Sequence, residues 1–395
     1  MVPGTRLGFV VHAGRGGASI MTEAGSLTER RLTRRELLAG GARASAGISA
    51  AWLLAACGAG SSSGASPGGS ASAQLSGTAV LSSYPGWMGK NEVSAFQKLY
   101  PQANIKQVNA ASGSTGSEVL FFRQNAGQYD FSLEDQSGVG QLVAGGILQE
   151  PDWSLIPNIS NVDETFRKAY SHGIPTDYGK VGIGYRTDLV KQGISSWADV
   201  WDLAPSYSGQ ITFLNLDRDC MGSALKYLGY SGNSTDPSQI DKCTQALIQI
   251  KPHLQAITST GVSRGLARGT VAIAMDWDYD VALAQQQEPR IKWVVPEEGM
   301  MAYLEGWVLI KGGAHLDVAQ AFMNFHLQPR EYADFVNTTG TAYVSSAATP
   351  YIDKAISKNP ILYPAPDVLA KVEYENYLGD ALALWSKAWD EFKSA

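Results

Sequence analysis

Three cysteines and five histidines in 395 residues leave little room for thiol or metal chemistry. The chain has no CxxC pair, no HExxH, no GxSxG elbow and no phosphate-cradling GxxxxGK[ST] loop, so the usual marks of zinc sites, serine hydrolases and nucleotide hydrolysis are missing. His12, His172, His253, His315 and His326 are scattered, and none has a partner at metal-ligand spacing. The glycine-rich piece from Gly138 to Gly146 lacks the dinucleotide fingerprint and reads as turns. No catalytic residue, metal or cofactor is therefore expected. Long apolar runs are also absent. The best candidate, Ala44 to Ala56, offers 13 weakly apolar residues, where a membrane span needs about 20. Basic stripes are missing too, which argues against a nucleic-acid partner.

What is present is a normal apolar share, 44%, with 10% aromatic residues. That excludes a disordered chain, and the length calls for two domains. The charge is uneven. Residues 1–56 hold seven Arg and three Glu; taking these from totals of 31 and 37 leaves 24 basic and 34 acidic residues beyond them. The remainder thus favours cationic partners mildly.

Residues 26–57 place Arg30, Arg31, Arg34 and Arg35 before a small-residue apolar stretch, the layout of a signal peptide. Thr33 to Leu38 is similar to a twin-arginine export signal, and Leu54-Ala55-Ala56-Cys57 to a lipobox, which makes Cys57 the expected lipidation site. The chain is then exported to the periplasm or the outer face of the cell membrane and held there by lipid. The Gly, Ser and Ala run that follows is a flexible tether, so residues 1–56 are read as signal and 57–77 as linker. Cys220 and Cys243 lie in two helical patterns joined by the turn Ser231 to Pro237. Such a hairpin leaves two alternatives, a disulfide or two buried free thiols, and an oxidising compartment favours the disulfide.

Beyond the tether, short β-like runs alternate with helical patterns. TAVLSSY, a helix with Val93, Phe96, Leu99 and Tyr100 on one face, and NIKQVNA read as a β-α-β unit. YDFSLED, KVGIGY, GQITFLN, VAIAMDW, IKWVVP and MAYLEGWVLI continue the series, which predicts a parallel-rich α/β fold. The chain ends in helices, the last with Leu382, Trp385, Trp389 and Phe392 at core spacing.

Aromatics beside isolated carboxylates recur at the ends of these strands, where open α/β sheets bind ligands. Glu305 is the lone charge in an apolar run beside Tyr303. Burying it requires either an ammonium partner or an Arg or Lys from elsewhere in the chain. Trp277 stands between Asp276 and Asp278, which solvent alone could satisfy, and Tyr84 and Trp87 share the loop after the first strand. Carboxylates with aromatic faces suit an organic cation.

The segments Ser196-Trp197-Ala198-Asp199, Tyr207-Ser208-Gly209, Leu228 to Pro237 and Val295 to Gly299 then suggest a family. From about Val80 to Lys393 the chain resembles the spermidine/putrescine-binding proteins, extracellular solute-binding lipoproteins of polyamine ABC importers. The resemblance implies a non-enzymatic, monomeric, two-lobed periplasmic-binding-protein fold of type II, with a ligand cleft between hinge-linked lobes. Lobe one would be residues 78–182 with about 306–349, and lobe two residues 183–305 with about 350–395. The ligand would be putrescine or spermidine, and the partners would be ABC permease subunits. By position in the family pattern, Tyr84, Trp87, Trp277, Tyr303 and Glu305 would meet the ligand, joined by Asp135, Gln136, Asp219 and Glu375.

This chain departs from the pattern at Gly86 and Leu216, where acids are frequent, and at Thr341, where an aromatic is expected. Asp135 and Glu375 would restore the negative charge. The main alternative is another cationic or zwitterionic solute, such as an opine-like compound, which would require Arg218, Arg264 or Arg268 in the cleft.

Overall fold

The computed structural model describes residues 75–109, 118–365, 368 and 371–395. The expected signal segment, Cys57 and nearly all of the expected linker lie outside them.

Strand β1 (Gly77–Ser83) buries Ala79 and Leu81, and it pairs in parallel with β2 (Ala103–Asn109) from Gly77↔Ala103 to Ser83↔Asn109. The crossover helix Glu92–Leu99 buries Phe96, which completes the expected β-α-β unit. The strands that follow are β3 (Phe131–Asp135), β4 (Leu148–Gln149), β5 (Gly173–Arg186), β6 (Ile211–Phe213), β7 (Leu254–Ile257) and β8 (Ile273–Trp277). The last four are β9 (Ile291–Val294), β10 (Met300–Ile310), β11 (Ala342–Tyr343) and β12 (Val372–Tyr374).

The main path through the sheet is β2-β1-β3-β10-β5-β8-β6-β7. This corrects the parallel-rich expectation. Both flanks are parallel, β2-β1-β3 on one side and β8-β6-β7 on the other, but the centre is antiparallel because β10 opposes both β3 and β5, and β5 opposes β8. The two central strands are long, with 14 and 11 residues, and almost every residue is buried, as a strand covered on both faces requires.

Two cores form along these strands. One gathers Phe96, Phe131, Trp307, Phe322, Phe335 and Tyr332; the other gathers Trp197, Phe213, Met221, Leu247, Trp385 and Phe392. β5 gives Ile174 to the first and Val181 and Ile183 to the second, while β10 gives Trp307 to the first and Met301 to the second. Between these contributions lies a polar stretch, which carries Asp177, Lys180 and Glu305. Here the ladder skips: Glu305 pairs with Asp177, but Gly306 pairs with Pro175. Pro175 has no N–H to lose, so the irregularity is where a strand proline can sit. Gly306 is required as well, because a Cβ there would overlap the Ile174 carbonyl.

Several family-like segments turn out to be helix-start devices. Ser196 and Asp199 form a reciprocal capping box, and the Glu298 carboxylate accepts from the amides of Trp197 at 2.9 Å and Ala198 at 3.0 Å. The helices Asp217–Tyr227 and Pro237–Ile250 pack as the expected hairpin. The expected disulfide within it is not formed. Cys220 and Cys243 are buried free thiols, with Cys243 Sγ 3.4 Å from the Met221 carbonyl oxygen. Burial pushes both thiols well above their ordinary range, which leaves them as small apolar side chains.

Candidate functional site

The carboxyl ends of β1, β3 and β8 and the polar stretch of β10 converge on a cavity of about 770 Å³. Eight of the nine ligand residues expected from sequence line it: Tyr84, Trp87, Asp135, Asp219, Trp277, Tyr303, Glu305 and Glu375. Gln136 does not. It is the first residue of the helix Gln136–Ala144, and the start of that helix turns its amide away, where Nε2 donates to the Ala169 carbonyl at 3.2 Å. Asp135 has a second task, because its carboxylate caps the same helix by accepting from Gly138 N at 2.7 Å.

The aromatic wall is larger than the sequence suggested. Tyr279 stacks on Trp277, with centroids 5.7 Å apart and planes within 14°, and meets the Trp87 ring edge-on at 5.4 Å. Tyr84 stands edge-on to Trp87 at 6.3 Å and is half exposed at the rim. Tyr303 is buried against Gly179, where a Cβ would overlap the phenol oxygen. These rings can cover a methylene chain on several sides.

The acids form the other half of the lining. β3, β10 and β5 are neighbours, and Asp135, Glu305 and Asp177 stand opposite one another in register across them. Neighbouring strands lie about 4.8 Å apart, so three carboxylates form one row. Asp177 is fully buried just behind the lining; its Oδ1 accepts from the Thr176 hydroxyl at 2.8 Å and its Oδ2 has no hydrogen-bond partner. Glu305 Oε2 and Glu375 Oε1 are likewise buried without a donor. Asp219 Oδ2 accepts from the Trp277 indole at 3.0 Å.

Burial and mutual repulsion make Asp177, Asp219, Glu305 and Glu375 hard to ionise. Desolvation raises Asp177 to about 7, with the Thr176 hydroxyl pulling it down and Asp278 adding to the rise. Desolvation likewise lifts Asp219 to about 7, against hydrogen bonds from Glu375 and Trp277. Glu305 is pushed well above the usual carboxylate range, first by burial and then by Asp177, Asp135, Asp219 and Glu134. Glu375 is raised by burial and by Asp219, and Glu134 by burial and by Glu118.

The question of an internal partner for Glu305 is answered by where the cations sit. Lys180, on the adjoining strand, is taken: its ammonium lies 2.6 Å from Asp278 Oδ2, 3.0 Å from the Leu362 carbonyl and 4.9 Å from the centroid of the Tyr178 ring. Asp276 and Asp278, which solvent could have satisfied, are both fully buried. Among the described residues Arg218 is the one basic side chain on the wall; its Nη2 donates to Asn233 Oδ1 at 2.6 Å and to the Asn376 carbonyl at 3.2 Å, and it lies over the Trp385 ring. Arg264 and Arg268 are not among the lining residues. Among the described residues no group of His, Cys, Asp and Glu could hold a metal ion.

Sequence reading missed Tyr279, Glu134, Glu118 and Asp177. The strand FSLED did signal Glu134, since a charge at the end of a buried strand, next to Asp135, stands where ligands bind.

Residues 93–364 match the profile of bacterial extracellular solute-binding proteins. The chain is 27% identical over 274 residues to the spermidine/putrescine-binding periplasmic protein of Salmonella typhimurium, which covers 68% of this chain and 78% of the relative. It is 26% identical over 347 residues to the putrescine-binding periplasmic protein SpuD of Pseudomonas aeruginosa, covering 82% and 94%. Among solved structures it superposes on the Tp0655 (TpPotD) lipoprotein of Treponema pallidum with a TM-score of 0.70 at 21% identity, covering 80% of this chain and 99% of that one.

Proposed function

This chain belongs to the bacterial extracellular solute-binding protein family, and from that membership we propose that it captures a linear organic cation, a polyamine such as putrescine or spermidine, for an ABC importer. It is a solute-binding transport protein and not an enzyme, and its fold is the mixed α/β fold of the periplasmic solute-binding proteins.

The observation that carries the reading is the pair of buried carboxylate oxygens, Glu305 Oε2 and Glu375 Oε1, on one cavity wall with no donor to meet them. An unpaired buried carboxylate is costly, and an incoming ammonium removes that cost while its methylenes lie against Trp87, Trp277, Tyr279 and Tyr303. The two cores support a two-lobed reading in which β5 and β10 act as the hinge. Contacts made by both lobes to one ligand would favour the closed form, which is then delivered to a permease. Export through the twin-arginine segment and lipid attachment at Cys57 complete the proposal, with the protein held at the outer face of the membrane.

One observation favours a second reading. Arg218 Nε and Nη1 have no partner, so a zwitterion could place a carboxylate there and its ammonium on Glu375. Calorimetric titration of the purified protein with putrescine, spermidine and an opine-like amino acid conjugate separates the two. Binding of the amines at micromolar affinity or tighter supports the first reading. Silence for the amines with heat from the conjugate establishes the second.

A further inference from the structure

The wall holds more carboxylates than its single arginine can balance, and they are not evenly spread. Three of them enter two carboxyl–carboxyl contacts, Glu305 with Asp177 just behind the wall, and Glu375 with Asp219. Glu305 on β10 stands opposite Asp177 on β5, each with one oxygen lacking a donor. Glu375, just after β12, and Asp219, in the first turn of the helix Asp217–Tyr227, are both buried, line the same cavity and repel each other. Two buried carboxylates side by side with no cation between them are relieved when one carries a proton.

We propose that the cavity exchanges protons for ammonium groups at these two carboxyl pairs, so that each ammonium that binds expels one proton to solvent. The inference rests on the organic-cation reading above. At each pair the balance is a carboxylic acid plus an ammonium going to a carboxylate–ammonium contact plus one released proton, with no other bond made or broken.

The surroundings of each pair support this. Asp135 and Glu134 of β3 and Asp219 face Glu305, and all are acids. Glu305 in turn acts on the phenols of Tyr170, Tyr279 and Tyr303, which burial keeps neutral. Asp278 also reaches Asp177, but its own charge is met by Lys180. Around Glu375 the charged groups are Asp219, Asp135 and Arg218; Arg218 is the counterweight, already engaged by Asn233 and the Asn376 carbonyl. Burial and mutual repulsion raise all four carboxyls, Asp177 and Asp219 to about 7 and Glu305 and Glu375 well above the usual carboxylate range, in keeping with a proton shared within each pair near neutrality.

The test is calorimetry of the full-length protein at pH 7.5 with putrescine and with n-butylamine, in buffers of different ionisation enthalpy, which reads the number of protons released. Putrescine is expected to release about two and butylamine about one, and affinity for putrescine should rise with pH, tenfold per unit for each proton released. Asp177→Asn and, separately, Glu375→Gln should each remove about one proton from the putrescine count. If either variant does not fold, the wild-type proton count and pH profile decide alone. Binding with heat independent of buffer overturns the exchange and leaves the organic-cation reading standing. No binding by either amine at any pH overturns that reading and the exchange with it.

Discussion

Two buried charge clusters lie close together on β5 and β10 and could hardly differ more in how they are satisfied. At Lys180 the ammonium is closed in by the Asp278 carboxylate, the Leu362 carbonyl and the face of Tyr178, with both ionic partners about 1% exposed. At Glu305 and Asp177, three residues earlier on β5, two carboxyls stand opposite each other and neither is met by a cation. The first arrangement is complete without anything from outside. The second is destabilising as it stands, and burial alone cannot account for its presence. On the organic-cation proposal, the acids left open beside this closed pair are the ones an incoming ammonium would meet.

The strongest way to break this contrast is to open the closed cluster. Lys180→Met should cost about 3–5 kcal/mol in urea unfolding, because Asp278 is left charged in the interior. Adding Asp278→Leu to it should restore most of the loss, and a stable single variant would show the pair was never closed. Next in size is pH. The folded-state pKa values of Asp177 and Asp219, about 7, lie above the ordinary aspartate value of about 3.9, so their contribution to stability is full below about 4. It declines as the pH rises and is gone once the pH has passed about 7. Without ligand the protein should therefore unfold at higher urea at pH 5 than at pH 8, and an equal midpoint at both would mean the acids are not held neutral.

Glu305→Gln sharpens the contrast from the other side. It should weaken amine binding by at least about 1.5 kcal/mol while leaving the unfolding midpoint the same or higher, since a neutral amide replaces a carboxyl whose charge burial disfavours. Unchanged affinity by calorimetry would take Glu305 out of the site. The smallest effect belongs to an exposed network, where Arg290 bridges Asp188 and Glu288 at the surface. Arg290→Ala should leave the thermal midpoint where it was, and a clear drop would show that solvent exposure is not what separates weak ion pairs from strong ones here.

Much of this was legible in the chain. The helix Leu382–Ser394 follows from the spacing of Trp385, Trp389 and Phe392, and the β-α-β start from alternation and period alone. Trp277, Tyr303 and Glu305 announced themselves because a charge or a ring stood out against an apolar run. Other features left no such mark. Pro175 and Gly179 interrupt the segment from Gly173 to Arg186, so its length was hidden and only the final KVGIGY read as a strand. Its pairing with β10 joins residues more than a hundred positions apart, which local periodicity cannot register. Tyr279 was masked by the acids on either side of it. Gln136 follows from its place in the family pattern, but it opens the helix Gln136–Ala144, whose start turns its amide toward the Ala169 carbonyl and away from the cavity. The cysteine hairpin was foreseen, yet pairing depends on side-chain direction, and these two thiols pack without bonding.

The skipped rung between Glu305 and Gly306 bears on how such a protein could change over evolutionary time. On either side of it, β10 and β5 run in different pairing phase, so inserting or deleting one residue in either strand would turn one core outward or withdraw the acids from the wall. A side chain at position 306 would collide with the opposing backbone, so that route is closed as well. Descendants of this sequence can retune their solute by exchanging one acid for another along a fixed frame, whereas lengthening the frame itself demands that both strands change together.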